Sequence, residues 1–137
     1  MFTGMFESTT IPVLQEVVGF TQARHNVLAG NIANLNVPGY KIRDLSVTDF
    51  QSRLHEAIED RNHPSIYQSP GETGYHHSEP LAEVAKNTKT VMRHDENNVG
   101  MEQQSAEVMK NQLQHNMALA LMVQQFQQLG LAISGRV

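Results

Sequence analysis

The sequence predicts a mainly α-helical chain. Its N- and C-terminal helices form an antiparallel, coiled-coil-like pair, with an irregular middle segment that holds a short helix and short strands. Three observations carry that prediction. A hydrophobic stripe with alternating three- and four-residue steps opens at Ile11, and a second stripe of the same period fills the last third of the chain. Between them no long period survives and turn-forming residues accumulate. The 137 residues are enough for one ordinary domain and too few for two, so residues 1–137 read as one unit.

The N-terminal helix is predicted over 11–35, along Ile11, Leu14, Val18, Thr21, His25, Leu28, Ile32 and Leu35. Ser8, Thr9 and Thr10 offer N-caps, and Pro12 fits only a first helical turn. Pro38-Gly39 ends the run, because proline disfavours helical geometry in the residue before it and glycine supplies a turn. Residues 36–100 form the middle. There Thr48-Asp49 is the expected cap of a short helix with Phe50, Leu54 and Ile58 on one face. His63-Pro64, Ser69-Pro70-Gly71, Gly74 and Glu79-Pro80 then punctuate an irregular stretch.

The C-terminal helix is predicted over 101–134, along Met101, Ser105, Val108, Gln112, His115, Leu119, Met122, Phe126, Leu129 and Ile133. From Met101 onward the charged side chains are Glu102, Glu107, Lys110 and Arg136, while eight positions are glutamine. A solvated helix face carries more charge than this, and neutral amides enter a partly dry contact without the cost of burying an ion. The pattern describes a helix with neighbours on more than one side. Antiparallel pairing with Leu35 beside Met101 and Leu14 beside Met122 sets Thr21 against His115 and His25 against Gln112. The seams are short for the number of residues they order, so both terminal segments are expected to gain order on assembly.

Composition excludes several function classes. Net charge is −4, which disfavours nucleic acid or an anionic membrane as the main partner. There is no cysteine, hence no disulfide scaffold, thiolate metal site or cysteine nucleophile. No segment approaches the roughly 20 continuous apolar residues of a membrane helix, so no direct membrane insertion is expected. Met1–Ser8 lacks a basic region followed by an apolar run, so no cleaved signal peptide is expected either.

Chemistry-bearing motifs are missing as well. Seven histidines are present, with His76-His77 adjacent and His55, His63 and His94 near in sequence, but none has the helical spacing of a metal motif. Carboxylate pairs such as Glu59-Asp60 fall in charge-mixed turns, without the desolvated acid that catalysis needs. There is no nucleophile elbow, phosphate loop or dinucleotide fingerprint. The chain reads as a non-enzyme with no metal and no cofactor.

The most distinctive block is Asn31-Ile32-Ala33-Asn34-Leu35-Asn36-Val37-Pro38-Gly39-Tyr40-Lys41. Asn31 and Asn34 sit near a helix end, where their side chains can bond free carbonyls or cross to a neighbour. Asn36 through Tyr40 form a turn, and Tyr40 offers a rigid amphipathic anchor. Taken alone, the residues leave a helix stop and an interaction site equally open. The block resembles the Asn-[Ile/Leu]-Ala-Asn-x-[Asn/Asp]-Thr-Pro-Gly-[Tyr/Phe] motif of the bacterial flagellar axial rod and hook proteins. Arg24–Gly30, Asp44–Phe50, Asn97-Asn98-Val99 and Met109–Leu113 resemble the proximal-rod members in particular. The likeness covers residues 1–60 and 94–137. Val37 departs from the usual threonine, and Gly100 stands where relatives often carry an acidic cap.

The resemblance implies a structural subunit of the proximal rod of the flagellar basal body, needed for motility and transmitting torque through interlocked helices. It implies delivery by the flagellar type III export apparatus without a cleaved signal, and self-assembly in the periplasmic space. The implied partners are other flagellar rod subunits and the MS-ring adaptor FliE. Helix packing is expected at Leu14, Val18, Leu28, Ile32, Leu119, Met122, Phe126 and Leu129. Asn31, Asn34, Asn36, Pro38, Gly39 and Tyr40 are expected to orient the turn. The competing readings are another rod subunit, a helical adaptor or chaperone of the export system, and a metal-dependent hydrolase using loop histidines.

Overall fold

The computed structural model describes residues 9–62, 88–90 and 100–135. In chain order they form helix α1 (Ile11–Ala33), strand β1 (Arg43–Leu45), helix α2 (Val47–Asn62), strand β2 (Thr88–Thr90) and helix α3 (Met101–Ser134). The expected punctuation at 63–80 and the histidines His63, His76, His77 and His94 lie outside the described residues.

Helix α1 has Pro12 in its first turn, as its fixed φ requires. Thr9 Oγ1 accepts from the Ile11 amide at 3.3 Å, while Thr10 makes no side-chain cap bond. The helix stops at Ala33, two residues short of the expected end. Asn34 caps it there: both its main-chain and side-chain nitrogens donate to the Gly30 carbonyl, at 3.1 and 2.8 Å. The asparagine side chain thus competes with the next turn for the terminal carbonyl.

The short middle helix is present, and it begins earlier than expected. Ser46, rather than Thr48-Asp49, is its cap: Ser46 Oγ accepts from the Asp49 amide at 3.2 Å, and its carbonyl accepts from Phe50. The short strands are present too. β1 pairs antiparallel with β2, Arg43 opposite Thr90 and Leu45 opposite Thr88.

Helix α1 is the centre of the fold. One side carries Phe20, which stacks on Phe50 of α2 with ring centroids 3.9 Å apart and planes 6° from parallel. Leu45 joins them, and Val17, Ala23, Val27, Val47 and Leu54 close the cluster. The other side packs antiparallel on α3. Thr21 lies beside Asn111 and His115, Arg24 beside Glu107, and Asn31 beside Gln104. In this register Ile11 falls near the level of Met122–Gln125, and α3 continues past it for roughly three turns. No described helix is long and apolar enough to cross a membrane.

Candidate assembly interface

The contact between α1 and α3 is built around polar pins. Asn31, completely buried, uses its whole side-chain capacity. Its nitrogen donates to the Arg43 carbonyl and to Gln104 Oε1, the latter at 3.3 Å. Its oxygen accepts from the Arg43 amide at 3.1 Å and the Tyr40 hydroxyl at 3.2 Å. One amide therefore ties α1, the motif turn, β1 and α3 together. Asn31 thus crosses to Gln104 on α3, and the Tyr40 hydroxyl reaches back from the turn to its oxygen.

The turn has the geometry its residues require. Val37 N donates to Asn34 O, and Tyr40 N donates to Val37 O at 3.1 Å. In that second turn Pro38 occupies the position after the first residue, and Gly39 follows with φ of +78°. A proline followed by a positive-φ glycine is the type II arrangement. Gly39→Ala adds a Cβ that meets open space, so its cost is conformational: about 1–2 kcal/mol, read as a lower denaturation midpoint.

Arg24 forms the second pin. It is 4% exposed, and its guanidinium grips Asp44 with two bonds, Nε to Oδ1 at 2.9 Å and Nη2 to Oδ2 at 2.7 Å. Nη2 also donates to Glu107 Oε2 at 2.9 Å. The Asp44 hydrogen bond leads in holding Arg24 above its ordinary pKa, against the opposing effect of burial. Two carboxylates from separate elements thus compensate one buried cation. Sequence reasoning missed this cluster. Its signal was available: apart from Glu16, Arg24 is the sole charged residue of α1, and it sits one helical turn from both Thr21 and Leu28.

Thr21 is the third. Its hydroxyl lies 2.9 Å from Val17 O and 3.0 Å from Val18 O, and 2.9 Å from His115 Nδ1. The hydroxyl joins the main chain of its own preceding turn to the His115 ring across the helix pair. The predicted Thr21–His115 pairing is thus a direct hydrogen bond. The accompanying pairing of His25 with Gln112 gives way to another arrangement. Gln112 is exposed and donates to Asn116, while buried Asn111 takes the inward place and donates to Thr21 O at 2.8 Å. His25 Nδ1 and Asn111 Oδ1 are buried without partners among the described residues.

That exchange holds along the whole helix. The row of α3 facing α1 is Gln104, Val108, Asn111, His115, Ala118, Met122 and Gln125, continued by Leu129 past the start of α1, all buried or partly buried. It shares Val108, His115, Met122 and Leu129 with the predicted row. Gln104, Asn111, Ala118 and Gln125 replace Ser105, Gln112, Leu119 and Phe126. The helix is turned by roughly 50° from the expected seam. Leu119 and Phe126 are consequently exposed, whereas Leu28 is fully buried and Leu14, Val18, Ile32, Met122 and Leu129 are partly buried. Of the turn residues, Asn34 and Tyr40 are partly buried and Asn36, Pro38 and Gly39 exposed.

Helix α3 is also apolar on the outside. Of the eleven large hydrophobic residues exposed among the described residues, all except Val37 lie on this helix. Met109, Leu113 and Met117 form a row on the side away from α1, exposed by 73%, 69% and 64%. Leu119, Val123, Phe126 and Ile133 add flanking and distal surface. Among the described residues no three histidine, aspartate or glutamate side chains converge as a metal site would require.

Known proteins resemble the chain over most of this framework. The family described as flagella basal body rod protein matches residues 21–41, which carry Thr21, Arg24, Asn31 and the type II turn. The flagellar basal body rod protein FlgB of Aquifex aeolicus is 28% identical over 126 residues, covering 92% of this chain and 94% of that protein. FlgB of Escherichia coli and of Shigella flexneri are each 30% identical over 112 residues, covering 77% of this chain and 79% of theirs. No solved structure matches the chain significantly. This chain therefore belongs to the family of FlgB flagellar basal body rod proteins.

Proposed function

We propose that the chain is a structural subunit of the proximal rod, assembling through its terminal helices and transmitting torque as part of a tube of interlocked helices. The observation that carries this reading is the outer face of α3. Its exposed Met109, Leu113 and Met117 lie on a helix whose charged residues are Glu102, Glu107 and Lys110. Such a face gains free energy when a neighbouring helix covers it, at about 25 cal/mol per Å² of apolar surface removed from water. The occupants proposed are the helices of adjoining rod subunits and, at the base, the adaptor FliE. Ordering of both terminal helices is completed by that contact, as expected of a chain delivered by the export apparatus without a cleaved signal. The chain then lies in the periplasmic part of the basal body, in a mechanical role that calls for no catalysis.

Isolating hook–basal bodies from cells making this chain, and probing the washed particles for it, tests the assignment. The chain is expected in the rod fraction, and deletion of its gene is expected to abolish flagellum-dependent motility. Recovery only from the soluble cytoplasm of flagellated cells would contradict the rod role and favour a helical adaptor or chaperone of export.

A further inference from the structure

Helix α3 buries a less apolar row than the one it leaves out. The buried row holds four polar side chains: Gln104, Asn111, His115 and Gln125. The row beside it, turned by roughly 50°, keeps Val108, His115, Met122 and Leu129 and exchanges Gln104, Asn111, Ala118 and Gln125 for Ser105, Gln112, Leu119 and Phe126, a net gain of two large apolar side chains. Burial of apolar area alone would select that second row, or the outer row Met109, Leu113 and Met117. The bonds that hold the observed row inward are the pins: Asn31 to Gln104, Arg24 to Glu107, Asn111 to Thr21 O, and His115 with Thr21. All four lie between levels 21 and 31 of α1.

We propose that these polar pins are a face selector: Arg24, Gln104 and Asn111 are positioning residues that turn the polar row of α3 inward and keep its most apolar rows outward. The physical basis is that buried polar groups fix register and rotation more sharply than interchangeable apolar contacts, because a wrong rotation leaves them unpaired. A slip of one step on α3 strips Gln104 and Asn111 of their partners and detaches Glu107 from Arg24. Rotation is thus set by satisfaction of polar groups, while the apolar rows remain available. This selection is intramolecular and stands whatever covers the outer face.

The absence of native cysteine makes the selection measurable. Ala118→Cys places a thiol on the buried row, and Gln112→Cys places one on the exposed, more apolar side. Each is introduced singly into the full chain, and its alkylation rate is measured with circular dichroism as the check on helicity. In the native background the thiol introduced by Ala118→Cys is expected to react at least about tenfold more slowly than that introduced by Gln112→Cys, the contrast that burial imposes on a local opening. With Arg24→Met, Gln104→Ala and Asn111→Ala added, the ratio is expected to invert as α3 turns its apolar row inward. An unchanged ratio in a helical variant overturns the proposal. If that variant unfolds, Gln104→Leu and Asn111→Leu in place of the alanines supply the inward row with apolar surface. Slow alkylation of the Ala118→Cys thiol is then expected to return, and its failure to return overturns the proposal equally.

Discussion

Replacing Arg24 by methionine is expected to destabilise the chain by about 3 kcal/mol, seen as a lower midpoint in urea denaturation at an unchanged slope. The guanidinium is buried, and three charge-assisted bonds end on it. Its removal strands Asp44 at the head of the β1–α2 corner and Glu107 on α3. Both carboxylates retain partial access to water, with 22% and 32% of their side chains exposed, so the cost falls at the low end for a broken buried pair. Arg24→Lys is expected to recover only part of the loss, because an ammonium cannot span both Asp44 oxygens as the planar fork does. The sign with pH follows from the raised Arg24 pKa. A cation whose folded pKa lies above its unfolded one contributes fully below the unfolded value and loses that contribution only as pH rises through the folded one. For arginine that window lies in strong alkali, so the Arg24 charge itself gives no pH dependence near neutrality.

Asn31→Ala is expected to cost about 3 kcal/mol through a different route. Four hydrogen bonds vanish together, and the partners left behind include both main-chain groups of Arg43 and the buried amide of Gln104. Since Arg43 opens β1, the loss is local as well as global. Hydrogen exchange at the Arg43 amide is expected to accelerate well beyond the average effect across α1. Asn31→Asp keeps the acceptors and shape but deletes both donated bonds and places a charge at a fully buried site. It is expected to be at least as damaging as alanine, and a neutral outcome would show that the four bonds do not hold the turn.

These two residues also mark where the sequence is readable and where it is opaque. The helices at both ends, the short helix carrying Phe50 and the antiparallel pairing follow from hydrophobic period and turn chemistry, both local properties. The Thr21–His115 bond was legible because a register that sets polar breaks of the two stripes against each other pairs these residues, although the same register also paired His25 with Gln112, which bonds Asn116 instead. The rotation of α3 was not, because apolar counting rewards Leu119 and Phe126, whereas the fold rewards pairing of Gln104 and Asn111 with distant groups on α1. Such a reward depends on donors and acceptors 73 and 90 residues away, which no local period encodes. The Arg24 cluster was hidden for the same reason, since Asp44 and Glu107 come from two further elements. The Ser46 cap was missed for a smaller one: Ser46 and Thr48 both have capping chemistry, and only the backbone path chooses between them.

On the proposed function, the outer face of α3 is an assembly surface and plays no part in holding the subunit together. The most direct test is the amount of a Met109→Gln, Leu113→Gln, Met117→Gln chain in washed hook–basal bodies, relative to the unaltered chain. These side chains are exposed, so the isolated variant is expected to unfold within about 0.5 kcal/mol of the parent per substitution. Its incorporation into the rod fraction is expected to be lost. Incorporation at the parent level by a chain of parent stability would contradict the account, and another surface would have to carry assembly.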